Sequence, residues 1–165
     1  MDITVIALDP GETTGYFVKR YYDVYKDSDD EATIERVENE IVAGGTVGHN
    51  HIEVFDLLSK IRPDIVILES FALYPGKAKS LAWNSFYPCE VIGVIKLWVM
   101  MQQVQGLTVQ QVEQAPSVKK YAGGLREDWQ YFQHNLLKEK VTEHVKDAYM
   151  HIKYWERYNK GILSV

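Results

Sequence analysis

Two apolar runs set the terms for this chain. Ile3 to Leu8 and Ile65-Val66-Ile67-Leu68 are of strand length, and each runs straight into a carboxylate, Asp9 in the first and Glu69 in the second. An apolar run without polar alternation describes a buried strand rather than one lying against water. Asp9-Pro10-Gly11 closes the first as a turn, and the second occupies Asp64 to Ser70. Each carboxylate therefore stands at the lip of a buried sheet. A chain of 165 residues is long enough for one α/β domain with a substantial core, and residues 1–165 read as a single domain.

The remaining segments flank those two strands. Gly15 to Tyr22 and about Ala32 to Val47 read as further strands, with the acidic stretch Asp23 to Glu31 as the exposed turn between them. Gly44-Gly45 marks a bulge or a strand end. His51 to Ile61 carries Ile52, Phe55, Leu58 and Ile61 at helical spacing, and Pro63 closes it. Phe71 to Trp83 has no clean period and reads as a loop. A long helix then begins at Asn84 or Ser85 and reaches about Gln105. Its apolar residues lie nearly all round, so it needs cover on more than one side. Leu107 to Val112 alternates as a strand, and Pro116 to Tyr121 starts a short helix or turn that Gly123-Gly124 breaks. Tyr131 to about Arg157 is helical, with Val141, Val145, Ala148, Ile152 and Trp155 as its buried stripe. The order β-β-β-α-β-α-β-α is a mixed five-stranded sheet flanked by helices.

Composition narrows the function classes. The single cysteine, Cys89, forbids an internal disulfide, and no basic leader precedes the first strand, so a cytoplasmic, reducing compartment is expected. The longest apolar run, Val91 to Met101, is interrupted by Gly93 and Lys96 and is too short for a membrane span. A net charge of −5 argues against nucleic acid as a partner until its distribution is considered. Asp23 to Glu40 alone carries −6, whereas Phe71 to the end carries +4, which leaves room for a basic face.

Four polar residues stand out by position. Asp9 and Glu69 end buried strands, while His144 and Asp147 lie three apart on the last helix and so share a face. Taken singly, an Asp before Pro-Gly is usually a turn former and a Glu after a strand a solvated strand end. His144 alone reads as a surface or structural histidine, and Asp147 as a solvated helix residue. Taken together they form a set of oxygen ligands plus one imidazole, suited to Mg²⁺ or Mn²⁺ rather than to a thiolate-seeking metal. Two such ions, roughly 3.5–4 Å apart, suffice for phosphodiester cleavage.

The blocks Leu8-Asp9-Pro10-Gly11 with Thr14-Gly15-Tyr16, Leu68-Glu69, Ala115-Pro116-Ser117-Val118-Lys119-Lys120 and His144-Val145-Lys146-Asp147-Ala148 resemble, in this order, the RuvC-type Holliday junction resolvases, particularly their phage members. The resemblance runs from residue 3 to about 155. It implies an RNase H-like fold, a bacterial or phage-infected host cytoplasm, and four-way or branched DNA as partner. It makes Asp9, Glu69, His144 and Asp147 the catalytic, metal-binding tetrad for two Mg²⁺ or Mn²⁺ ions. Many family members have Asp where His144 stands, and imidazole brings no negative charge. The resemblance also implies DNA contacts from Lys119 and Lys120, and from the loop after Glu69. There Phe71 and Tyr74 are candidates to stack at the junction crossover, and Lys77 and Lys79 to meet phosphates. The plainer alternative tucks Phe71 into the core and makes Tyr74 a loop anchor.

The surplus apolar side of the long helix leads to a homodimer interface at Val91, Val94, Ile95 and Trp98, which suits the two-fold symmetry of a four-way junction and its two nicks. Cover by the chain's own Tyr154 to Val165 is the alternative. Other functions remain open at this stage: a junction-binding protein without cleavage, or an RNase H-like nuclease acting on hybrid or other branched substrates. The Asp-x-Gly-x-Thr turn is shared with sugar-kinase and actin-like ATPases, but those need two such domains and a far longer chain.

Overall fold

The apolar runs form the central strands β1 (Asp2–Asp9) and β4 (Ile65–Glu69) of a computed structural model that describes residues 2–26, 33–71, 86–122 and 142–159. Around them lie strands β2 (Thr13–Lys26), β3 (Thr33–Gly48) and β5 (Gln110–Gln114), helices α1 (His51–Ile61), α2 (Tyr87–Val104) and α3 (Glu143–Tyr158), and a 3-10 turn over Pro116–Tyr121. The strand order is β3-β2-β1-β4-β5 in one five-stranded sheet. Strands β1, β4 and β5 run parallel, and β2 and β3 are antiparallel to their neighbours. The sheet is mixed and has helices on both faces, as the sequence pattern implies.

The double burial of β1 and β4 follows from which helices cover each face. Successive side chains of a strand point to opposite sides. Val5 and Ala7, with Ile65 and Ile67, meet Val145, Ala148, Tyr149, Ile152 and Trp155 of α3. Ile6 and Leu8, with Val66 and Leu68, meet Val54 and Leu58 of α1 and Val91, Ile95, Trp98 and Val99 of α2. Every second residue thus enters one of two separate cores, and no position is left for a polar residue until Asp9 and Glu69. None of the described helices is long and apolar enough to cross a membrane.

Three features differ from expectation. Strand β2 runs past Tyr22 to Lys26, so Asp23 lies in a strand paired with Val37 of β3, and the tip of the acidic stretch lies outside the described residues. The charged residues suit a two-stranded ribbon that leaves the core. The register shifts fall between Val18 and Lys19 and between Val24 and Tyr25, and not at Gly44-Gly45, which pair regularly with Phe17 and Tyr16. At Gly45 a Cβ would come 3.0 Å from the Tyr16 hydroxyl, so the Tyr16 ring would have to shift slightly to admit a side chain there. Strand β5 begins at Gln110 instead of Leu107, because Leu107 still donates its N–H to the α2 carbonyl of Gln102 after Gly106 turns the chain at φ 82°. The expected helix starts near Asn84 and Tyr131, and the breaker Gly123-Gly124, lie outside the described residues.

Candidate active site

Parallel pairing places Leu8 opposite Leu68, so Asp9 and Glu69 leave the sheet side by side at the same edge. The turn after Asp9 is tied by Thr14, whose hydroxyl lies 3.3 Å from both the N–H and the carbonyl of Gly11. Helix α3 starts over the same edge, where the Thr142 hydroxyl accepts the Val145 N–H at 3.4 Å. Its first turn rests directly on Gly15: a Cβ there would lie 2.2 Å from the His144 carbonyl carbon and oxygen. Only glycine lets the helix approach so closely, and that approach brings His144 Nδ1 within 2.8 Å of Asp9 Oδ2. The pairing of Asp9 with Gly15 in register fixes both sides of this contact.

The 3-10 turn after β5 supplies the cation of the site. The Lys119 ammonium donates to Glu69 Oε2 at 2.8 Å and to Asp147 Oδ2 at 2.5 Å. Lys119 was expected on the DNA-contacting surface, but it is turned into the carboxylate cluster. Neighbouring Lys120 is exposed, with its ammonium 4.9 Å from the Tyr121 ring centroid. Behind Glu69 stands His151, absent from the expected set, with Nε2 2.8 Å from Glu69 Oε2 and Nδ1 2.7 Å from Gln114 Oε1. The signal for it was its spacing: His151 follows Asp147 by four residues and His144 by seven, on the same face of α3.

The electrostatics follow from these contacts. Burial pushes the Asp9 carboxyl above its ordinary value; His144 and Lys119 oppose this, and Glu69 and Asp147 add to it. Burial also acts upward on Glu69, but hydrogen bonds from His151 and Lys119 outweigh it and hold that group low. For Lys119 burial acts downward, and the bonds to Asp147 and Glu69 outweigh it, so the ammonium is held above its ordinary range. Three carboxylates facing one cleft demand a cation, and the Lys119 nitrogen stands in for one between Glu69 and Asp147. The donor set suits a hard divalent ion. Among the described residues, no group of three or more His, Cys, Asp or Glu side chains converges closely enough to hold a metal as the side chains stand.

The other expected contacts divide. Phe71 is 39% exposed and packs edge-on against Phe86 at 6.4 Å, at the end of β4 and outside the core. Tyr74, Lys77 and Lys79 lie outside the described residues. The interface expected at Val91, Val94, Ile95 and Trp98 is corrected by the packing of α2. Val91, Ile95 and Trp98 are buried in the chain's own core, Val94 packs against the same core, and Trp98 Nε1 donates to Ser59 Oγ at 3.0 Å. The helix does have a surplus apolar side, but it is the opposite one. Leu97 is 48% exposed, Met100 54%, Met101 39% and Val104 83%.

No protein-family model and no curated protein sequence matches the chain. Solved structures do. Thermus thermophilus RuvC in complex with a Holliday junction substrate superposes with a TM-score of 0.63 at 17% identity, covering 98% of both chains. Fowlpox virus resolvase, in complex with substrate Holliday junction DNA, gives 0.54 at 14% identity, over 93% of this chain and 99% of that one. The yeast mitochondrial Holliday junction resolvase Ydc2 gives 0.59 at 13% identity, over 94% of this chain and 78% of that one. Sheet order, flanking helices and near-complete coverage agree: the chain has the RNase H-like fold of the RuvC-type Holliday junction resolvases.

Proposed function

We propose that this protein is a metal-dependent endonuclease that resolves four-way or otherwise branched DNA, acting as a homodimer that makes paired nicks. The observation that carries the reading is the meeting of Asp9, Glu69, His144 and Asp147 at one sheet edge, from β1, β4 and α3, in a fold shared with junction resolvases. These four side chains would hold two Mg²⁺ or Mn²⁺ ions, which when bound supply Lewis-acid stabilisation of charge on the phosphate oxygens.

The chain's own groups do the rest. Glu69 and Asp147 would hold a metal only with the Lys119 ammonium withdrawn from them, and Lys119, next to exposed Lys120, would then be free to meet the DNA backbone. Phe71, at the end of β4, offers an aromatic face to a base at the crossover, and stacking of this kind is worth about 1–3 kcal/mol. The exposed stripe Leu97, Met100, Met101 and Val104 faces away from the chain's own core, so two copies can pair through α2 without covering the site.

Four-way junction, flap, duplex and RNA–DNA hybrid substrates compared under Mg²⁺ and Mn²⁺ test the reading. Symmetric nicking of the junction is expected. Asp9→Asn should be slower by at least ~10²-fold, the scale of one preorganised electrostatic group, while still binding the junction. Intact junctions under both metals, or undiminished cleavage by Asp9→Asn, would refute it.

A further inference from the structure

The His151 ring is 0% exposed, deep in the contact between α3 and the sheet. Both neighbours of its nitrogens are oxygen atoms as placed, Glu69 Oε2 at 2.8 Å and Gln114 Oε1 at 2.7 Å, and Gln114 is itself buried at the end of β5. A carboxylate can only accept, so Nε2 carries a hydrogen whether the ring is neutral or charged. In the charged ring Nδ1 donates to the Gln114 oxygen. In the neutral ring Nδ1 accepts from the Gln114 amide turned end for end. Either way the ring is held from behind and points one N–H at Glu69.

A core does not need such a pair. An apolar side chain of similar volume would fill the space without the cost of burying polar atoms. Lys119 and His151 hold the same Glu69 oxygen, but from different sides of the accessibility boundary: the Lys119 side chain is 21% exposed and can be exchanged, whereas the His151 ring cannot leave. We infer that His151, backed by Gln114, is a positioning residue that keeps the Glu69 carboxylate aimed into the cleft when a divalent cation replaces Lys119. This inference rests on the nuclease reading above. Hydrogen bonding to a metal-ligating group by an outer partner commonly affects metal affinity about 10–100-fold.

The full-length protein, labelled with ¹⁵N, gives a readout independent of cleavage. A slowly exchanging imidazole N–H signal is expected in the wild type. It should be absent from His151→Gln, shift in Glu69→Gln, and move on addition of Mg²⁺. A signal that responds to neither Glu69→Gln nor Mg²⁺ overturns the inference and requires no stable His151 variant. Calorimetric titration with Mn²⁺ supplies the second arm. The double variant His151→Leu/Gln114→Met removes the pair without orphaning either partner. It should bind Mn²⁺ about 10–100-fold more weakly at an unchanged melting temperature, and Glu69→Gln added to it should bind no more weakly than Glu69→Gln alone. Wild-type Mn²⁺ affinity in the double variant, with affinity lost in Glu69→Gln, overturns the positioning role alone. Wild-type affinity in Glu69→Gln overturns the metal-site reading and the positioning role together.

Discussion

Lys119 spends its one charge on two carboxylates, Glu69 and Asp147, while Asp9 is paired with His144. The site is therefore balanced by a side chain that, on the proposed reading, a divalent ion would have to displace. Lys119→Met should lower the metal-free stability by about 1–3 kcal/mol, the worth of hydrogen bonds to charged groups. Saturating Mg²⁺ should then raise the melting temperature more than in the wild type, because no ammonium has to move. Equal metal-free melting temperatures, or equal responses to Mg²⁺, would show that Lys119 neither neutralises nor obstructs the site. At this scale Asp9 and Glu69 are legible because each directly follows an apolar run. His144 and Asp147 are legible from their spacing on one helix. The inward turn of Lys119 is not, since its partners lie 28 residues away at Asp147 and on the far strand at Glu69. His151 is marked only by its spacing from His144 and Asp147, which gives its helix face but not the glutamate opposite it.

Helix α3 is held at two places along its length, and the two are of different chemistry. Its first turn lies on Gly15. Near its end, Glu156 accepts from Lys19 at 2.7 Å and from Tyr21 at 2.8 Å, both on β2, with Lys153 at 3.0 Å. Burial acts upward on Glu156, but Lys19, Lys153 and Tyr21 together outweigh it, and the net value lies below the ordinary 4.5. A depressed carboxylate contributes stability above the unfolded value and loses it as the pH falls through the folded one. Glu156→Gln should therefore cost about 3 kcal/mol at neutral pH, because it leaves Lys19 buried without its counter-charge. The gap between wild type and variant should close as the pH drops below 4.5 in thermal melts. A gap that stays constant with pH would deny the pair its electrostatic role. Among elements, β1 and β4 are legible because both of their faces are dry. Strand β5 is legible only in part: the alternation places a strand at Leu107 to Val112, but its start at Gln110 and its register are set by Ile65 and Val66 alongside it. The length of β2 is hidden for a similar reason, since charged residues continue a ribbon that covers no core.

For the whole molecule, the mixed sheet with helices on both faces is legible from the order of apolar runs and helical stripes. Which side of α2 meets that sheet is not, because a helix apolar nearly all round has no preferred face in sequence. The packing resolves it and leaves Leu97, Met100, Met101 and Val104 outward. Met100→Glu should convert a dimer to a particle of the 19.0 kDa chain mass in light scattering at micromolar protein, with an unchanged circular dichroism spectrum. A wild type that runs at the single-chain mass while resolving junctions would remove the dimer from the mechanism.

The sheet that divides the two cores has a consequence for how such a protein can change over time. Helix α3 and the reactive groups occupy one side, and the outward stripe of α2 belongs to the other. The side chains of β1 and β4 enter one compartment or the other, never both. Among the described residues the two compartments are joined through strand backbone, and distant, unconnected changes tend to add independently. On the proposed reading, pairing through α2 can thus be retuned while the groups at the sheet edge stay as they are, and His144 can be exchanged without disturbing the outward stripe of α2.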